Sequence, residues 1–189
     1  MKTCFWPGTD ERMNQYHDEE WGTPVHDDKK HFEFIVLDTF QAGLSWKTIL
    51  HRREGFRKAF ANFDVKKIAK FDEEKIQSLL QDTGIIRNQL KVRSTVTNAQ
   101  AFMAIQKEFG SFDTFIWQFV NGKTIQNSFD EHSRIPATSP ESDAMSKDLY
   151  KRGFKFVGST ICYAYMQAAG MVNDHLISCF RYKEVRIKG

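Results

Sequence analysis

Apolar residues recur at helical spacing along almost the whole chain, and that periodicity restricts the possible folds more than any other feature. Phe32, Ile35, Val36 and Phe40 place an apolar stripe on a helix over about 29–42, with Asp28 as its N-cap. Gly43 interrupts this helix, and Trp46, Ile49 and Leu50 mark a second one starting near Ser45. Asp64 opens a short helix carrying Val65 and Ile68. Asp72 opens another carrying Ile76, Leu79 and Leu80, which Gly84 ends. A long helix is predicted from about Arg87 to Phe109, then a helical or near-helical stretch over Phe112–Val120. Asn121-Gly122 signals a turn, and the polar stretch from Gly122 to Pro140 reads as irregular. Ser139-Pro140 opens a helix that runs to about Arg152 and stops at Gly153. A last helix crosses Val157–Ala169. Few runs alternate apolar with polar residues, so the fold class is all-α.

The 189 residues, 41% of them hydrophobic, suit one domain with a core that needs no staples. The opening MKTCFWPGTDERMNQ has no apolar leader pattern, and no uninterrupted apolar run is long enough to span a bilayer. A cytoplasmic protein with no membrane contact is expected. Cys4, Cys162 and Cys179 are too few for a disulfide framework. The net charge of +3 does not identify a nucleic-acid partner. The basic residues do cluster, however: Lys47, Arg52, Arg53, Arg57 and Lys58; Arg87, Lys91 and Arg93; Lys147, Lys151, Arg152 and Lys155. Such groups would suit a phosphate backbone; the plainer reading is solvated helix faces.

Two regions carry chemistry. In the first, Leu79 to Lys91, one helix stops at Gly84, Ile85 and Ile86 follow, and a second helix begins. Gly84 would permit a left-handed or tight backbone at the turn, and backbone N–H groups there, with Arg87 and Lys91 nearby, would face a phosphate. An ordinary αα-hairpin fits the same pattern. In the second, Trp6, Tyr16 and Trp21 fall early, and Trp46 follows Gly43. A flat cationic base taken out of a duplex needs a dry aromatic pocket and a nearby carboxylate. Asp38, within an apolar helix, is the candidate acid. The plainer reading makes these aromatics core residues.

With those residues in view, the sequence resembles the 3-methyladenine DNA glycosylase I (TAG) family along nearly its whole length. The blocks carrying the resemblance are Cys4-x-Trp6, Tyr16-His17-Asp18-x-Glu20-Trp21-Gly22-x-Pro24, Gln41-Ala42-Gly43-Leu44-Ser45-Trp46 and Asp82-x-Gly84-Ile85-Ile86-Arg87. Further along are Phe115-x-Trp117-x-Phe119-Val120, Ser142-Asp143-Ala144-x-Ser146-Lys147, Lys151 to Tyr163, and Gly170-x-Val172-Asn173-Asp174-His175. The resemblance implies a helix-hairpin-helix glycosylase fold in one domain. One lobe would span about 31–150, and the other would form from about 1–30 with 151–189. It also implies that Trp46, Trp6 and Trp21 bind the base, with Asp38 and Tyr16 acting on it. Gly43 and Leu44 would plug the gap left by the flipped nucleotide, and Gly84, Arg87 and Lys91 would grip DNA. A structural zinc ion is implied on Cys4, His17, His175 and Cys179. The last two, four residues apart, would share a helix face. Cys162 reads as core, and His26, His31, His51 and His132 have no predicted partner. One departure stands out: the family typically carries Glu where this chain has Asp38, and Thr39 and Phe40 also differ.

The expected activity is hydrolysis of the N-glycosidic bond of 3-methyladenine in alkylated double-stranded DNA, by a monomer that leaves an abasic site without nicking the strand. A methylated purine is cationic and departs as a neutral base, so flipping, stacking and electrostatic support can supply the rate. The alternatives are a glycosylase for another damaged purine, a non-catalytic helix-hairpin-helix module, and a zinc hydrolase. The last needs an open metal position that four protein ligands would not leave.

Overall fold

The computed structural model of the protein describes residues 3–188. Its helices are α1 (Glu11–Glu19), α2 (Asp28–Gln41), α3 (Trp46–His51), α4 (Arg53–Ala59), α5 (Val65–Ile68), α6 (Glu73–Gln81), α7 (Gln89–Phe109), α8 (Phe112–Ile116), α9 (Pro140–Lys151), α10 (Ser159–Ala168) and α11 (Phe180–Lys188). A two-residue strand, β1 (Ile125–Gln126), pairs in parallel with β2 (Val172–Asn173) and ties the irregular stretch to the C-terminal segment. The chain is mostly helical, as the periodicity requires.

Helix α2 is the axis of the molecule. Every residue from His31 to Phe40 is buried, so the helix is enclosed on all sides. Its apolar side chains Phe32, Ile35, Val36, Leu37 and Phe40 join the main core. Asp27, not Asp28, caps it, accepting from the Lys30 N–H. Asp28 caps a different helix: its carboxylate accepts from the N–H groups of Phe112 and Asp113 at the start of α8. Ser45, Asp64, Asp72 and Ser139 cap α3, α5, α6 and α9, Ser139 within a capping box.

Helix α7 begins at Gln89, two residues after the expected start, because Asn88 is the cap. The stretch after Phe112 tightens into a 3₁₀ turn at Trp117–Val120. Helices α1, α4 and α11 have no counterpart in the sequence reading. The inward face of α1 is Met13, Tyr16 and His17, a pattern in which only Met13 reads as conventionally apolar.

Of the two conformations open to it, Gly84 does not take the left-handed one. The steric requirement falls on Gly55, because the backbone of the α6–α7 turn lies directly on α4. A Cβ on Gly55 would sit 2.2 Å from the Gly84 carbonyl oxygen. Gly55→Ala should therefore destabilise the fold by about 2–3 kcal/mol, since backbone meets backbone and neither can yield cheaply. Urea unfolding measures this, and a loss under about 0.5 kcal/mol would remove the close approach as an explanation for this glycine.

Candidate active site and metal centre

The side chains around Asp38 come from four directions. Tyr16 projects from α1 and Trp21 from just beyond it, Trp46 is the first residue of α3, and Trp6 lies in the N-terminal loop. Together with Asp38 and Gln41 of α2, Ala164 and Gln167 of α10, and His132 and Ile135 of the irregular segment, they enclose a cavity of about 230 Å³. The rings meet at angles: Trp6 is 5.2 Å from Trp21 and 6.3 Å from Tyr16, and Tyr16 is 5.1 Å from Trp46. The indole N–H groups of Trp6 and Trp46 are buried without a partner.

Helix α2 carries three buried titratable side chains in its enclosed stretch, and their treatment differs. Glu33 accepts from Arg53 at 2.8 Å and from Arg57, and pairs with Lys30. His31 bonds to Asp113 and to Tyr165. Asp38, 2% exposed, leaves Oδ2 without any hydrogen-bond partner. Burial pushes its carboxyl well above the usual carboxylate range. Burial, followed by the charge of Asp38, likewise pushes the Tyr16 phenol up, so that ring stays neutral. A buried acid with an unanswered oxygen at the floor of an aromatic box is a poor structural element and a good receptor for a flat cation.

The loop between α2 and α3 turns at Gly43, whose φ of +79° suits glycine, and Leu44 is exposed. On the hairpin, Arg87 is exposed, whereas the Gly84 N–H is already taken by Asp82 Oδ1 at 2.7 Å. Lys91 departs from expectation: it is 6% exposed and donates to the carbonyl oxygens of Phe40 at 2.9 Å and Ala42 at 2.6 Å. It neutralises the carbonyl end of α2 and is not presented to a phosphate. Several residues of the basic groups are also committed internally, Arg53 to Glu20 and Glu33, Arg93 to Glu73, and Arg152 to Glu108 and Asp148.

Sequence reasoning overlooked Gln41, His132, Ile135, Ala164 and Gln167 as pocket residues. Gln41 stands in a block already singled out; the others carry no local signal. Three histidines left without partners have them: His26 and His31 meet Asp113, and His51 meets Asp10. Cys162 is core, as expected.

Cys4, His17, His175 and Cys179 do converge. All four are buried and their donor atoms lie within 4.8 Å of one another. Cys179 Sγ is 3.6 Å from His17 Nε2 and 3.7 Å from His175 Nδ1, and Cys4 Sγ is 3.8 Å from His175 Nδ1. Tetrahedral metal–sulfur and metal–nitrogen bonds of about 2.3 and 2.0–2.1 Å imply edges of about 3.5–3.8 Å. The remaining ring nitrogens are occupied: His17 Nδ1 meets Asp18 at 2.6 Å, and His175 Nε2 donates to the Trp21 carbonyl at 2.9 Å. That fixes which nitrogen of each ring faces the centre. The hydrogen bond to Cys179 and burial push the Cys4 thiol up, while that same bond, with help from His17 and His175, holds Cys179 well below the thiol range. The four residues can hold a metal ion. His175 and Cys179 lie not on one helix but in the turn that precedes α11.

A sequence profile described as methyladenine glycosylase matches residues 6–182. The chain is 46% identical to DNA-3-methyladenine glycosylase 1 of Escherichia coli over 96% of its own length and 97% of the relative's. It is 47% identical to DNA-3-methyladenine glycosylase of Haemophilus influenzae, over 93% and 95%. Among solved structures, a 3-methyladenine DNA glycosylase I (TAG) at 47% identity superposes with a TM-score of 0.93, covering 95% of this chain and 98% of that one. A TAG solved in complex with 3-methyladenine, at 33% identity, gives 0.92 over 95% and 97%. Profile, relatives and superposition agree over almost the full length: the chain belongs to the methyladenine glycosylase family.

Proposed function

We propose that this protein excises 3-methyladenine from DNA by hydrolysing its N-glycosidic bond. The observation that carries this reading is the unpartnered carboxyl of Asp38 at the floor of the Trp6–Tyr16–Trp21–Trp46 cavity. Methylation at N3 makes the adenine cationic, so its plane attracts indole and phenol faces and its edge offers donors to an acid. Asp38, once ionised, pairs with the cation, while the Tyr16 and Trp46 rings, in contact with each other, form one wall against it. Bond cleavage then discharges a neutral base, and the electron-poor sugar takes up water. The base leaves readily by itself, so the protein works by extruding, stacking and orienting it.

The substrate in this reading is double-stranded DNA, bound by a monomer in the cytoplasm. Leu44, exposed on a glycine turn two residues before Trp46, fills the gap left by the flipped nucleotide, and the hairpin with Arg87 grips the backbone. No described helix is long and apolar enough to cross a membrane. Cys4, His17, His175 and Cys179 hold a structural zinc ion that ties the two ends of the chain together and takes no part in the reaction, since four protein ligands leave no open position.

Incubation with methylated duplex DNA, followed by chromatography of the freed bases, tests the proposal. Release of 3-methyladenine is expected, with strand breaks appearing only after alkali. A second reading, excision of another damaged purine, draws on the shorter acid at Asp38, and release of a different base without 3-methyladenine would favour it. Release of no base would end both.

A further inference from the structure

Of the ten residues that line the aromatic cavity, His132 alone is exposed. A side chain that borders a cavity and also reaches solvent stands at its mouth. Asp38, buried, stands at its floor. The cavity therefore has a closed acid end and an open imidazole end. His132 begins a 3₁₀ turn, His132–Arg134, in the stretch after β1. That stretch is fastened on both sides of the turn. The Phe129 carbonyl accepts from the Ile177 N–H at 2.9 Å, and Ile135, which itself lines the cavity, donates its N–H to the His132 carbonyl at 3.1 Å. The neighbouring acids are answered locally, Asp130 by Arg134 at 3.1 Å and Glu131 by the Ser133 hydroxyl at 3.3 Å. The His132 ring meets Phe5 edge to face, with centroids 5.0 Å apart and planes at 71°. Phe5 is 69% exposed and directly precedes Trp6, another wall of the cavity.

The other five histidines are engaged elsewhere: His17 and His175 in the Cys2His2 centre, His26 and His31 with Asp113, and His51 with Asp10. Among the described residues the His132 ring has Phe5 as its neighbour and no hydrogen-bond partner. A neutral imidazole carries one N–H in either tautomer, so a donor is present at the mouth without any change of charge.

We propose that His132, steadied by Phe5, donates a hydrogen bond to a phosphate of the nucleotide extruded into the cavity. This rests on the cavity receiving a flipped base. With the edge of the base at Asp38, its bond to deoxyribose points back towards the mouth, and the sugar carries its phosphates just outside. An anionic oxygen there meets an N–H donor on a fastened turn, a contact that sets position and reads no sequence. His132 is thus a binding residue for the backbone, and Phe5 is a positioning residue that fixes the plane of its ring.

Two probes test this: free 3-methyladenine, which brings a base without a backbone, and duplex DNA with a tetrahydrofuran abasic-site analogue, which brings the backbone without a base. His132→Phe keeps a ring against Phe5 and removes the donor. It should weaken duplex binding about tenfold and leave the affinity for 3-methyladenine within about twofold of the parent. His132→Gln, which restores an N–H, should recover part of the loss. Neutral methylphosphonates in place of the phosphates flanking the analogue should weaken binding by the parent and cost the His132→Phe protein much less. Phe5→Ala should weaken duplex binding about threefold in the parent and add nothing in the His132→Phe protein, whereas a merely structural role would cost both alike. Unchanged duplex binding by His132→Phe overturns the proposal. An equal loss for both probes also overturns it, by placing the imidazole on the base, as does an equal methylphosphonate cost in parent and variant. A parent that fails to bind 3-methyladenine sinks the reading of the cavity, and the duplex arm still decides the His132 contact.

Discussion

Asp38→Asn should lower single-turnover excision of 3-methyladenine by about 10²–10³-fold, the range associated with losing one preorganised electrostatic group. The same variant should be at least as stable as the parent at neutral pH, and this combination separates a functional acid from a structural one. Burial raises the pKa of Asp38 above its ordinary value, so the folded protein holds a proton that the unfolded chain releases. That contribution is complete below about pH 4, the ordinary aspartate value, and is lost as pH rises towards the folded pKa. Asparagine does not titrate. The stability advantage of the variant should therefore grow with pH, to something on the order of 1–3 kcal/mol. Urea unfolding at pH 5 and pH 8, beside the excision assay, measures both halves. Excision within threefold of the parent would remove Asp38 from the mechanism.

Disrupting the Cys2His2 centre should produce the largest change in stability. Chelation, or Cys179→Ser, removes a bond network that joins the first residues of the chain to the last and leaves buried polar atoms unanswered. A cost of about 3–5 kcal/mol is expected, a fall of about 10 °C or more in Tm for a protein of this size. Metal analysis should find about one zinc ion per folded chain. The residual excision rate per folded molecule should be nearly unchanged, as the proposed structural role requires. Metal-free protein that melts within about 2 °C of the untreated sample would contradict the assignment.

The helices that were legible in the sequence are those with an apolar stripe and a capping side chain, such as α6 after Asp72 and α9 after Ser139. Helix α1 was not, because tertiary packing buries Tyr16 and His17, whose letters give no hydrophobic period. The aromatic box and its acid were legible as residue types, and the ordered blocks supplied their association. The remaining wall was not: His132 and Ile135 come from the irregular segment and Gln167 from α10, which packs on α2, so distant stretches of chain meet at the cavity. Charge was the least reliable guide. Lys91 and Arg53 look like phosphate ligands in a linear string, yet one closes the end of α2 and the other sits between Glu20 and Glu33. A basic residue two turns of chain from a motif can serve the frame and leave the ligand alone.

Lys91 also bears on how damage would be found under the proposed function. Its ammonium fastens the end of α2, from which the Gly43–Leu44 tip projects, to the first turn of α7, which follows the α6–α7 hairpin. With the hairpin as grip and Leu44 as wedge, as proposed, the two would be set at a constant separation, like the jaws of a calliper. A protein sliding along a duplex would probe every nucleotide at the same offset from its foothold, with no hinge to reset between steps.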